Sequence, residues 1–136
     1  MWIGLSLTGD ASSAGEARRG CLDLMRARGI SPDDASSAAI VVTELVSNAS
    51  RHTTGPCIVH VSVEHEIRIQ VWDSDPSTLK LPRNAAKLEP LDDLKCGGYG
   101  LGIVAEIAKE FRSYPARSGK VVEAVIPIRC NYEVVA

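Results

Sequence analysis

The segment "TELVSNASRH", residues 43–52, places three polar side chains at four-residue steps inside an otherwise apolar helical pattern. Glu44, Asn48 and His52 fall on one ridge, because a step of four residues advances an α-helix by only about 40° beyond a full turn. Asn offers a neutral oxygen that suits Mg²⁺ when phosphates supply the other ligands. A carboxylate one turn away can hold a metal-bound water or accept a proton. The segment is therefore a candidate site, with a solvated helix edge as the alternative.

A zinc hydrolase that uses Glu44 and His52 is a third possibility for the same ridge. Catalytic zinc normally has three protein ligands, whereas this ridge supplies one good nitrogen ligand. The four cysteines form no Cys-x-x-Cys pair, so they indicate neither a zinc site nor a disulfide framework. We expect them to be reduced thiols, and zinc is the least favoured of the three hypotheses.

Size and composition predict one folded domain over residues 1–136. The chain is 45% hydrophobic and 24% charged, which excludes a disordered tail, and its apolar runs are shorter than the roughly 20 residues that cross a bilayer. The start, "MWIGLSLTG", lacks the features of a secretory signal. We therefore expect a cytoplasmic protein with no membrane contact. A net charge of −2 without a basic stripe argues against direct nucleic-acid binding.

The hydrophobic pattern predicts the element order β-α-α-β-β-lid-α-β. A short strand over residues 2–8 precedes a helix over 12–28. The second helix begins at "SPDD", with Ser31 as its N-cap, and runs to about His52. The next two alternating runs, "CIVHVSV" and "EIRIQVWD", are typical of an antiparallel hairpin.

The second half of the chain is less regular. Residues 74–97 show no sustained period, which is typical of a functional loop or lid. "GGYGLGIVAEIAKEF" then predicts a helix, and "VVEAVIPI" predicts the last strand. This order differs from the strict βαβ alternation of a Rossmann sheet. It predicts an α/β (α+β) two-layer sandwich, with helices on one face of a mixed, largely antiparallel sheet.

The run "EIRIQVWDSDP" ends in a candidate binding carboxylate. Ile67, Ile69, Val71 and Asp73 share parity in a strand, so Asp73 points to the same face as three core residues. A buried charge needs a partner, so a hydrogen-bond donor is expected nearby, either from the protein or from a ligand such as an exocyclic amine. The alternative is that the strand has ended and that Asp73 begins a turn.

The glycine run "GGYGLG", residues 97–102, precedes the third predicted helix. Glycines at this position let the backbone approach a phosphate, and the helix N-terminus favours its negative charge. A flexible hinge without a ligand is the alternative. No Walker lysine follows, and the run lies too late in the chain for a Rossmann fingerprint.

The chain carries four features in this order: Glu-x-x-x-Asn on a helix, an inward Asp, a lid and Gly-x-Gly-Leu-Gly. This arrangement resembles the GHKL (Bergerat-fold) ATPase superfamily of gyrase, histidine kinases and MutL. The resemblance covers roughly residues 5–128. Within its 136 residues the chain has no transducer or dimerisation-phosphoacceptor domain. It is therefore most similar to the stand-alone anti-sigma-factor serine/threonine kinases of bacterial partner switching.

The resemblance implies ATP and Mg²⁺ as cofactors. It implies that Asn48 holds the Mg²⁺ that bridges the phosphates, that Glu44 is the general base, and that Asp73 accepts a hydrogen bond from the adenine amino group. The implied cofactor-binding residues of the glycine motif, which form the phosphate side of the pocket and the lid hinge, are Gly98, Gly100, Leu101 and Gly102. The implied partners are a small STAS-type anti-sigma-factor antagonist, a sigma factor and a second copy in a homodimer.

One departure from the family pattern concerns the adenine motif Asp-x-Gly-x-Gly. Its glycine positions hold Asp75 and Ser77 here, and a second carboxylate near the nucleotide weakens binding by repulsion. This departure keeps an alternative function open. In that alternative the chain is a catalytically weak or inactive partner-switch module that acts by docking alone.

Overall fold

The computed structural model of the chain describes residues 1–52, 55–77 and 100–129. Within these ranges the chain forms five strands and three helices. In chain order they are β1 (Trp2–Leu7), α1 (Ser13–Ala27), α2 (Pro32–His52), β2 (Cys57–Val63), β3 (Glu66–Asp73), α3 (Gly100–Ile107), β4 (Glu110–Ala116) and β5 (Gly119–Pro127). The strands form one sheet in the order β1-β2-β3-β5-β4. The predicted two-layer sandwich is confirmed, and the sheet is antiparallel at all four pairings.

Local chemistry sets the start of α2 and the end of α1. The side-chain hydroxyl of Ser31 accepts a hydrogen bond from the Asp34 N–H at 3.2 Å, which confirms the predicted N-cap of α2. Gly29 follows α1 with φ 66°, a left-handed conformation that glycine adopts without strain. No helix in the described ranges is both long enough and apolar enough to cross a membrane.

The core lies between the helices and one face of the sheet. Alternate residues of β2 and β3 are buried, and they pack with the apolar stripes of α1 and α2. Asp73 continues this alternation at the end of β3 and is only 1% exposed. The helix that carries Glu44 and Asn48 packs on the strand that carries Asp73, so the fold brings these two predicted segments against each other.

The sequence-based element order missed β4. The third helix was predicted to continue through "EIAKEF", but α3 ends at Ile107, and the Lys109 N–H already bonds to the Val125 carbonyl in β5 at 2.9 Å. β4 is an edge strand of mostly polar residues that contains Pro115, which only an edge position tolerates well. Its pattern therefore lacks the apolar alternation by which strands are recognised.

The predicted lid begins where β3 ends. Residues 74–77 leave the sheet without helix or strand structure, and the rest of the predicted range, 78–97, lies outside the described residues. Gly98 of the glycine motif also lies outside them. Gly100, Leu101 and Gly102 form the first turn of α3.

Candidate functional site

The ridge on α2 holds an amide oxygen that is buried and has no hydrogen-bond partner among the described residues. Asn48 is 2% exposed, and its Oδ1 atom is buried and accepts no hydrogen bond within the described part of the chain. Leaving a buried carbonyl oxygen without a donor costs free energy. Such an atom is therefore expected to face a donor or cation that a ligand supplies. The side chain of His52 lies outside what the structure describes.

The structure brings Glu44 into contact with the start of α3. A Cβ atom placed on Gly100 would lie 2.8 Å from Cδ of Glu44, and nearer still to its Oε2 atom. Only glycine leaves room for the carboxylate at this point. The first turn of a helix has free N–H groups and the positive end of the dipole, so it favours a nearby negative charge. The predicted Glu44 and the predicted glycine motif thus meet across the contact between α2 and α3.

The second cluster surrounds Asp73 at the end of β3. Its Oδ1 atom accepts hydrogen bonds from Lys120 Nζ at 3.0 Å and from the Asp75 N–H at 2.9 Å. Its Oδ2 atom is buried and has no hydrogen-bond partner among the described residues. The carboxylate therefore presents one engaged oxygen and one free acceptor. The orientation predicted from strand parity is the observed one, and the chain continues from β3 into a turn.

Lys120 is the site residue that the sequence analysis missed. Its side chain is completely buried in β5, opposite Asp73, and its Nζ atom lies 3.6 Å from Oδ2 of Asp75. The hydrogen bond from the Ser77 N–H lowers the pKa of Asp75 below its usual 3.8, and the Lys120 charge adds to this fall. The run "GKVVEAVIP" carried the signal, since Lys120 shares parity with the core residues Val122 and Ala124.

Two further residues pack closely around Asp73. A Cβ atom on Gly119 would lie 2.9 Å from the carbonyl carbon of Asp73, so the start of β5 must be glycine. Cys57 is buried at the start of β2. Its burial raises the pKa of its thiol, and the charge of Asp73 raises it further. Burial also raises the pKa of the Cys21 thiol to about 12, so both described cysteines are free and unreactive.

These atoms fit a nucleotide better than a protein-held metal. Asn48 offers one hard oxygen, Asp73 one free acceptor, and Gly100 a close backbone approach at a helix start. Within the described ranges, which do not include the side chain of His52, no three His, Cys, Asp or Glu side chains lie close enough to hold a metal ion. The donor set instead suits Mg²⁺ whose remaining ligands are phosphate oxygens and water.

The family model of the histidine kinase-like ATPase domain matches residues 7–126. The chain belongs to this family, which confirms the predicted GHKL-type fold. No curated protein matches the chain.

Two solved structures are similar to the chain. One is the crystal structure of the SiaB-SiaC complex from Pseudomonas aeruginosa, with a TM-score of 0.69 at 15% identity over 91% of this chain and 88% of that chain. The other contains the RsbU and RsbW domains of Rv1364c from Mycobacterium tuberculosis, with a TM-score of 0.66 at 14% identity over 94% of this chain and 32% of that chain. At these identities the likeness shows a shared fold.

Proposed function

We propose that this chain is an ATP- and Mg²⁺-dependent protein serine/threonine kinase of a cytoplasmic partner-switching system. Its substrate is a small STAS-type anti-sigma-factor antagonist, and in its other state it sequesters a sigma factor as a homodimer. The observation that carries the proposal is the Glu44 carboxylate against Gly100, one turn from the Asn48 oxygen that has no partner among the described residues. The family match supports ATP as the nucleotide. The fold shared with a chain of the SiaB-SiaC complex, and with part of a chain that contains RsbU and RsbW domains, supports partner switching.

In this proposal each residue has one chemical task. Glu44 takes the proton from a serine or threonine hydroxyl of the antagonist. The hydroxyl oxygen then forms a bond to the γ-phosphorus, the bond from that phosphorus to the β,γ-bridging oxygen breaks, and ADP leaves. Asn48 holds the Mg²⁺, which supplies charge neutralisation at the phosphates. Asp73 accepts a hydrogen bond from the adenine amino group.

The glycine motif forms the phosphate side of the proposed pocket. The motif brings its backbone close to the phosphates and acts as the hinge of the lid. Its residues in this role are Gly98, Gly100, Leu101 and Gly102. The lid is proposed for residues 74–97 of a single domain that spans 1–136. The bound nucleotide would lie between the sheet and α2.

Phosphotransfer from radiolabelled ATP to the cognate antagonist tests the catalytic assignment. Glu44→Gln should lower the transfer rate by about 10²–10⁴-fold, because a general base contributes that much, while ATP binding persists. Glu106→Gln removes an exposed carboxylate from α3 and is the matched control, with wild-type transfer expected. Transfer at the wild-type rate in Glu44→Gln refutes the role of Glu44 as the base.

The second candidate function is a docking module without phosphotransfer. Asp75 favours it, since this half-buried carboxylate stands where the family has glycine and would repel phosphate charge. Calorimetry with ATP and Mg²⁺ separates the two functions. Heat of binding that saturates at one nucleotide per chain supports the kinase, whereas absent binding, with the antagonist still captured, leaves docking alone.

A further inference from the structure

Lys120 is a buried cation that the proposed kinase chemistry does not use. Its side chain has no exposed surface, and a buried ammonium group is costly unless an anion lies beside it. Two carboxylates meet this need: Oδ1 of Asp73 at 3.0 Å and Oδ2 of Asp75 at 3.6 Å. The ammonium therefore balances part of the negative charge of both acids.

The position of this cation is fixed by the backbone. β3 and β5 pair in a register that sets Lys120 directly opposite Asp73. The neighbouring Gly119 lets the two strands approach so closely that a Cβ atom there would collide with the Asp73 carbonyl group. Lys120 thus reaches Asp73 from the adjacent strand, on the core side of the sheet.

The two donors on Asp73 both act on the same oxygen. Lys120 Nζ and the Asp75 N–H bond to Oδ1, while Oδ2 stays buried with no partner in the part of the chain that the structure describes. Turning the carboxylate out of this orientation would break two hydrogen bonds, one of them charge-assisted. The free acceptor is therefore held in one direction.

We propose that Lys120 is a positioning residue for base recognition: it fixes Oδ2 of Asp73 as the acceptor for the exocyclic amine of a purine nucleotide. Its charge also offsets that of Asp75 near the bound nucleotide. This inference rests on the proposed nucleotide-binding function and adds a specificity-determining residue to it. The opposite possibility is that the Lys120 ammonium takes the place of the base at the Asp73 carboxylate, which would weaken nucleotide binding.

The test compares ATP with purine riboside triphosphate, which lacks the exocyclic amine, by calorimetry. A hydrogen bond to a charged acceptor predicts a preference of about 10- to 100-fold for ATP in the wild type. Lys120→Met should reduce this preference to less than about threefold. Lys120→Gln keeps a donor for Oδ1 and should retain most of the preference. Lys109→Met, which removes an exposed lysine paired with Glu66, is the matched control and should behave as the wild type.

Each other outcome overturns the proposal. If Lys120→Met keeps the wild-type preference, or lowers the affinity for both nucleotides equally, Lys120 has only a structural role. If Lys120→Met binds ATP more tightly, Lys120 blocks the base. If circular dichroism shows that Lys120→Met is unfolded, the double variant Asp75→Asn/Lys120→Met replaces it, because it removes one carboxylate with the cation and keeps the Asp73 acceptor. This double variant must also show a reduced preference, and a wild-type preference overturns the proposal. If the wild type binds neither nucleotide, the proposed function itself fails; unchanged discrimination in Lys120→Met refutes only this inference.

Discussion

The substitution Gly100→Ala is expected to lower phosphotransfer activity strongly while it changes the free energy of unfolding little. In Gly100→Ala the new Cβ atom would lie 2.8 Å from Cδ of Glu44 and 3.5 Å from its Cγ. Carbon atoms in favourable contact lie about 3.5–4.0 Å apart. The carboxylate of Glu44 must therefore move by about 1 Å, and the backbone of α3 can stay in place because the carboxylate is the flexible end of its side chain.

The two effects on stability oppose each other. Moving the Glu44 side chain off its rotamer costs about 0.5–1.5 kcal/mol. Replacing Gly by Ala gains about 0.5–1 kcal/mol in a helix interior and less at Gly100, the first residue of α3. The free energy of unfolding should thus fall by at most about 1.5 kcal/mol. Displacement of a catalytic group by 1 Å lowers the rate by about 10²-fold, so phosphotransfer should fall to about 1% of the wild-type rate.

The measurements are urea denaturation and single-turnover phosphotransfer on the same preparations. Gly15→Ala is the matched control, because Gly15 also lies in a helix and its Cβ would meet only Nη1 of Arg19, at an ordinary 3.6 Å. This control should gain about 0.5–1 kcal/mol of stability at unchanged activity. Full phosphotransfer by a stably folded Gly100→Ala would refute the inference that the Glu44–Gly100 contact positions the base.

Two further predictions concern the sheet. Gly119→Ala should lower the free energy of unfolding by about 1–3 kcal/mol in urea, because its Cβ would lie 2.9 Å from the backbone carbon of Asp73; stability equal to that of Gly15→Ala would contradict this. On the outer face, burial raises the pKa of Glu123, but bonds from Arg112 and other donors outweigh it and lower the pKa below 4.5. The ionised carboxylate then stabilises the fold fully above pH 4.5 and loses this effect as pH falls through the lower folded-state pKa. Glu123→Gln should be less stable than the wild type by about 1–3 kcal/mol at pH 7, and a difference that persists undiminished at pH 3 would contradict the pKa argument.

The parts of the site that were predictable from sequence depend on local periodicity. Glu44 and Asn48 share a helical ridge because they are four residues apart, and the structure places both on α2. Asp73 shares strand parity with Val71, so its inward direction followed from the pattern. The helix start at Ser31 was predictable for the same reason, since an N-cap depends on its own next three residues.

The parts that were not predictable depend on contacts between segments distant in sequence. The Glu44–Gly100 contact joins α2 to α3, and only the packing of the two helices reveals it. β4 is held in the sheet by β5 and lacks an apolar alternation of its own. Lys120 reaches Asp73 through a strand register that no local pattern specifies.

The pairing between β3 and β5 also shows why the ion pair is better explained by ligand recognition than by stability. The inward row of this pairing runs from Ile67 opposite Ile126, through Ile69 opposite Ala124 and Val71 opposite Val122, to Asp73 opposite Lys120. Replacing a buried ion pair with an apolar pair of similar volume is often neutral or stabilising, so a fourth aliphatic pair would serve the core equally well. What an aliphatic pair could not offer is the free oxygen of Asp73. Because the row changes from apolar to charged at the end of β3, where the predicted lid begins, the charge pair marks the border between the core and the proposed binding site.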